Sequence, residues 1–219
     1  MKIFRFFANN INGEKALYND VSTALIPDTA LLIQKRPFFI PDFTQQCMVQ
    51  LCACIRINRL GRSIHQKFAH RYYNDITIAT HFVARDLLTQ LQTEQKPWDK
   101  ALGFDNAVAV SENTLLTLSD DATANLTLRI DEAEVSTNLN LEKINEMADI
   151  LIADISQFYT LRQGDLLLIP LHINEQQVHI DNHLSIHCGE HEMLAFNIKY
   201  KGLFFKEGIA LTTTPFSPY

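Results

Sequence analysis

Apolar positions along this chain recur mostly at a spacing of two, the period of strands whose side chains alternate between opposite faces. VQLCACIRIN (49–58) predicts a strand, with NRLG (58–61) as its turn. NLTLRIDEAEVS (125–136) directs Leu126, Leu128 and Ile130 inward and runs into a polar turn. LRQGDLLLIPL (161–171) reads as a turn followed by a buried strand, and HLSIHCGEHEMLAFNIKY (183–200) as a hairpin reversing near Gly189 and Glu190. TALLIQKRPFFIPDF (29–43) is apolar but punctuated by proline, which predicts short extended pieces.

Three segments switch to helical spacing. NLEKINEMADILIADISQFY (140–159) lines up Ile144, Met147, Ala148, Leu151, Ile152 and Ile155 as one apolar stripe. ARDLLTQLQTEQKPW (84–98) puts Leu87, Leu88 and Leu91 on one face, with Pro97 beyond its end. SIHQKFAHRYY (63–73) predicts a short helix capped by Ser63. Strands dominate and the helices do not alternate with them, so the expected class is α+β rather than a doubly wound sheet.

Composition narrows the picture further. The chain has 219 residues, 47% hydrophobic and 20% charged, without a repeat or a Pro/Ser/Gly linker, which suits a single domain over 1–200 with a loosely ordered tail over 201–219. A formal charge of −6 and scattered Lys and Arg disfavour a nucleic-acid partner. MKIFRFFANN has short apolar runs and no signal-peptide cleavage pattern, and nothing approaches the ~20 apolar residues of a spanning helix. Cys47, Cys52 and Cys54 crowd together without a C-x-x-C pair, and Cys188 is remote. The expectation is a cytoplasmic protein with reduced thiols and no membrane partner.

Six segments, in order, carry a resemblance: PDTALL (27–32), PFFIP (37–41), QLCACIRINRLGR (50–62), THFVARDL (80–87), KPWDKALGFDNAVAVS (96–111) and ISQFYTLRQGDLLLIPL (155–171). They are similar, in turn, to the K-P-E-T-A-L segment, the lead-in to the metal strand, and the E-x-E-L-x-x-x-I, D-x-[ST]-A-R-D-L, K-x-F-D and T-L-x-x-G-D segments of the fumarylacetoacetate hydrolase family. That family includes acylpyruvate hydrolases, oxaloacetate decarboxylases and 2-hydroxyhepta-2,4-dienedioate isomerases. The resemblance implies a mostly β, mixed β-sandwich roll, a homodimer, a small 2-oxo acid ligand, and Mg²⁺ or Mn²⁺ held by three carboxylates.

At those three ligand positions this chain reads Gln50, Cys52 and His81. Hard cations need anionic oxygens, and three negative charges are gone. The family's lysines fall at Leu102 and Ile26, with Lys100 two residues early, and Asp28 stands where a Glu is expected. The T-G-T-P loop reads Ile169-Pro170-Leu171-His172, and FFANNINGE (6–14) lacks the G-R-N-Y-x-x-H pattern. Arg85, Asp86, Asp105, Gly164 and Asp165 are retained and are explicable as scaffold.

The pocket expected from this carry-over is Gln50, Cys52, His81, Arg85 and Leu102, with Asp28, Lys100 and Asp105 as catalytic candidates. Zinc on Cys52 and His81 is the sharp reading of the altered trio, but Gln is a rare third ligand. A neutral, partly buried pocket with no resident cofactor is the favoured one. His179, His183, His187 and His191 recur every fourth residue, yet Leu184 and Ile186 set a strand period there, so polar-face histidines are expected rather than a metal face. A thiol nucleophile at Cys52 or Cys47, activated by His81 or His65, has no supporting local signature. The expected function is a divergent member without the family's C–C bond chemistry, serving as a binding or scaffold protein. The alternative is an active 2-oxo acid enzyme with a rebuilt site.

Overall fold

A computed structural model of the chain describes residues 1–8, 21–33, 36–115, 123–171 and 175–200. Its strands are β1 (Ile3–Ala8), β2 (Val21–Ile26), β3 (Phe38–Ile40), β4 (Cys47–Ile57), β5 (Tyr73–Ala84), β6 (Val108–Thr114), β7 (Thr123–Ile130), β8 (Ala133–Asn140), β9 (Leu166–Pro170), β10 (Gln176–Gln177), β11 (His183–Cys188) and β12 (His191–Tyr200). The α-helices are α1 (Arg85–Thr93), α2 (Asp99–Leu102) and α3 (Leu141–Phe158). Strands predominate, and the class is α+β as expected. No helix among the described residues is long and apolar enough to cross a membrane.

The strands form two mixed sheets. One is seven-stranded in the order β2-β1-β9-β4-β5-β6, with β10 on β4, and the other is five-stranded in the order β3-β12-β11-β7-β8. The long pair β4 and β5 is apolar on both faces, so it sits at the centre of the larger sheet. Val49, Leu51, Ala53 and Ile55 point into a core shared with the second sheet and α3, where Leu126, Leu184, Ile186 and Ile152 are buried. Phe82 of β5 stacks on Phe38 of β3 with ring centroids 3.7 Å apart and meets Phe196 of β12 at 6.0 Å, so aromatic contacts join the sheets. The opposite face of the larger sheet is equally buried. It carries Ile3, Cys52, Cys54, Ala79, Leu166 and Leu168, with α1 and α2 packed at one end over Val83 and Ala84.

Four local readings change. NRLG does not reverse β4 into β5; Gly61 instead exchanges backbone hydrogen bonds with Leu161 at 3.0 and 2.8 Å. A Cβ on Gly61 would lie 2.3 Å from Tyr72, a contact that only glycine avoids. The 63–73 segment is a 3₁₀-helix over Gln66–Tyr72, capped by His65 rather than Ser63. Ser63 (φ 49°) and Ile64 are held out of it because their N–H groups bond to Ser156 of α3. Helix α1 stops at Thr93: Gln95 turns left-handed (φ 53°) and the Lys96 N–H closes on the Leu91 carbonyl at 2.8 Å, a Schellman-type end. The polar turn after β7 leads directly into β8, so 123–140 is a full hairpin with Asp131 (φ 51°) at its tip.

Other readings stand. Helix α3 has Asn140 as its cap, and Ile144, Ala148, Leu151, Ile152 and Ile155 are buried. The 183–200 hairpin reverses at Gly189, and His183 and His187 share a polar face with Ser185. The tail over 201–219 lies outside the described residues.

Candidate functional site

Strand register brings the altered trio together. Gln50 of β4 pairs with His81 of β5, and Cys52 pairs with Ala79 one step along the same face. Cys52 and His81 are fully buried. Nε2 of His81 donates to the Leu102 carbonyl at 2.7 Å, since a carbonyl only accepts. This fixes the neutral tautomer with a lone pair on Nδ1, and that buried atom has no partner among the described residues. Burial, reinforced by the charge of Arg5, pushes the His81 pKa down to about 3. Burial pushes the Cys52 thiol up to about 12, although Arg5 works against the rise. Cys47 is also raised to about 12 by burial, so neither thiol is a nucleophile at neutral pH.

The group that organises this face comes from β1. Arg5 is 5% exposed, and its Nη2 donates to Oε1 of Gln50. Its guanidinium lies 4.5 Å from the centre of the Phe7 ring, and its buried Nε has no partner among the described residues. Burial lowers its pKa, with the Glu175 charge working against that and the Arg85 charge adding to it. An arginine nevertheless stays protonated. Arg85, at the start of α1, forms an ion pair with Glu175, whose carboxylate is thereby committed. That pair is partly exposed, at 36% and 18% of the side chains, and stands at the solvent side of the site.

The remaining candidates do not join. Asp28 is exposed and pairs with the Met1 amino group at 3.8 Å. Lys100, on α2, and Asp105, in the following turn, are exposed. Leu102 enters only through its backbone carbonyl on His81. Asp86 is a scaffold residue that accepts from Thr44 and from the Gln45 and Leu87 N–H groups. Asp165 is another, buried and accepting from the Lys2 and Arg162 N–H groups, with the Lys2 ammonium 2.6 Å away. Of the substituted loop, Pro170 lies beside Cys52 in the sheet and the Leu171 N–H bonds to Leu51. His172 and residues 9–14 lie outside the described residues.

Sequence reasoning missed Arg5 and Glu175. For Arg5 a signal existed. In IFRFFA (3–8) both alternating faces are apolar, so a charge on either must be buried. Glu175 carried no such mark.

The family model for the fumarylacetoacetate (FAA) hydrolase C-terminal region matches residues 8–169. The chain belongs to the fumarylacetoacetate hydrolase family. Among curated proteins it is 24% identical over 148 residues to the oxaloacetate tautomerase YcgM of Escherichia coli (strain K12). That match covers 65% of this chain and 65% of the length of that relative. Among solved structures, fumarylpyruvate hydrolase from Pseudomonas aeruginosa, in complex with Mn²⁺ and pyruvate, superposes with a TM-score of 0.75 at 14% identity, covering 92% of this chain and 90% of that one. The 2-hydroxyhepta-2,4-diene-1,7-dioate isomerase from Mycobacterium marinum superposes with a TM-score of 0.73 at 21% identity, covering 92% and 75%. These likenesses establish a shared fold.

The residues here do not fit the divalent metal that the family resemblance implies. Gln50 offers a neutral oxygen already engaged by Arg5, Cys52 a protonated thiol and His81 one lone pair. A dication 4 Å from a guanidinium is opposed by about 8 kcal/mol at an effective dielectric of about 20. Zinc would tolerate sulfur and nitrogen, but it too would have to displace the guanidinium from Gln50.

Proposed function

We propose that this chain is a family member that has left the metal-dependent C–C bond chemistry of its relatives and works as a homodimeric binding or scaffold protein. Its ligand class is the small 2-oxo or related acid. The observation that carries this reading is the Arg5–Gln50 hydrogen bond. A buried guanidinium binds the side chain that stands where the family resemblance puts a metal-binding carboxylate. The hydrolase relative that holds Mn²⁺ together with pyruvate supports the ligand class. A protein cation beside the trio supports retention of an acid site without the metal.

The test is calorimetric titration of Mg²⁺ and Mn²⁺ into the purified chain, alongside assays with acylpyruvates and oxaloacetate. Neither metal is expected to bind with an affinity better than about 1 mM, which corresponds to about 4 kcal/mol, and turnover is expected at background. Metal-dependent turnover at an enzyme-like rate overturns the proposal.

A further inference from the structure

We propose that Arg5 and His81 form a metal-independent receptor for a small monocarboxylate bearing a hydroxyl on the neighbouring carbon, with the carboxylate on the Arg5 guanidinium and the hydroxyl donating to Nδ1 of His81. This rests on the metal-free reading of the site given above.

Two buried polar atoms on one sheet face lack partners among the described residues: the Arg5 Nε donor and the His81 Nδ1 acceptor. Gln50 relates the two residues: its side chain bonds to Arg5 and it pairs in register with His81. A bridging water would satisfy both atoms but would bring no charge to Arg5. Gln50, its hydrogen-bond partner, is neutral, and Glu175, whose charge Arg5 feels, is shared with Arg85. A buried cation whose counter-charge is shared with a second arginine is incompletely compensated, and a carboxylate meets the planar donor fork of a guanidinium in bidentate geometry.

The second orphan sets the rest of the ligand. With Nε2–H committed to Leu102, Nδ1 only accepts. A keto oxygen also only accepts, whereas a hydroxyl donates. Burial and the Arg5 charge keep the imidazole from becoming a donor by protonation. Cys52 and Ala79 are the residues next to the Gln50–His81 pair on this face. The partly exposed Arg85–Glu175 pair gives the solvent side.

The experiment is calorimetric titration of the full chain with lactate, pyruvate and propionate, first in EDTA and then with excess Mg²⁺. Lactate is expected to bind in EDTA about tenfold tighter than pyruvate or propionate. Arg5→Gln is expected to weaken lactate by at least about tenfold, with an unchanged circular dichroism spectrum. A readout without mutation is the ¹⁵N spectrum, in which the buried arginine Nε–H and the histidine Nδ1 are expected to shift on adding lactate. Equal affinity for lactate and propionate overturns the inference, as does unaltered binding in Arg5→Gln. Absence of binding with and without Mg²⁺ overturns it too while leaving the metal-free reading intact. Binding that appears only with Mg²⁺ overturns both.

Discussion

Arg5 and Gln50 make an asymmetric pair. Removing the buried cation relieves a desolvation cost, whereas removing its acceptor leaves the cation unsatisfied. Arg5→Met is therefore expected to keep or raise the melting temperature. Gln50→Leu is expected to cost about 1–3 kcal/mol in urea unfolding, and Arg5→Met is expected to recover that loss in the double variant. An Arg5→Met chain less stable than Gln50→Leu contradicts this account. His81 gives a pH signature. Its folded pKa, about 3, lies below its ordinary 6.5, so the unfolded chain takes up a proton that the folded chain excludes. Its contribution is complete above pH 6.5 and is lost as pH falls toward 3. Between pH 7.5 and 5 the loss is about 2 kcal/mol. Urea titrations of the parent chain and His81→Phe isolate it, because raised carboxyls such as Asp149 and Asp154 titrate alike in both. Parallel pH profiles would show that His81 is not the group.

At the scale of the element, α3 and the site face illustrate different rules. Helix α3 begins where the Asn140 side chain accepts the Lys143 N–H at 2.9 Å, and its stripe then packs into the shared core. Asn140→Ala is expected to cost about 1 kcal/mol, read from the urea midpoint at unchanged slope. Leu151→Ala, in the buried stripe, is expected to cost about 2–5 kcal/mol. A reversed order of these two would mean that α3 is held by its cap rather than by its packing. Strand β4 has no comparable end signal. What matters in it is register, since a one-residue slip would turn Gln50 and Cys52 into the main core and carry Leu51 to the site.

At the scale of the molecule, two sheets share one core, while the second buried face of the larger sheet is left to hold the polar groups. That division keeps the site independent of most of the stabilising burial. Loss of the family's ligand acids is therefore compatible with an intact fold. The family resemblance adds a homodimer to the proposed function. Light scattering during size exclusion is expected to give about twice the 25.0 kDa of the chain, and a mass of one chain at micromolar concentration would contradict it.

The sequence by itself determined the strand-rich α+β class, the long α3, the 183–200 hairpin and the family, because periodicity and motif order are local properties. It also placed Gln50 and Cys52 on one face, since a strand alternates whatever surrounds it. It did not mark β8, whose largely exposed positions show little apolar period, nor the late start of the 3₁₀-helix, which depends on bonds to Ser156 some 92 residues away. Only the tertiary structure decided what the trio means. Arg5 reaches Gln50 across 45 positions of sequence, Leu102 fixes the His81 tautomer across 21, and Asp28, Lys100 and Asp105 fall elsewhere. Hydrogen bonds and Coulomb forces act over ångströms of space, so the counter-charges of a buried group are set by the path of the chain and not by its neighbours along it.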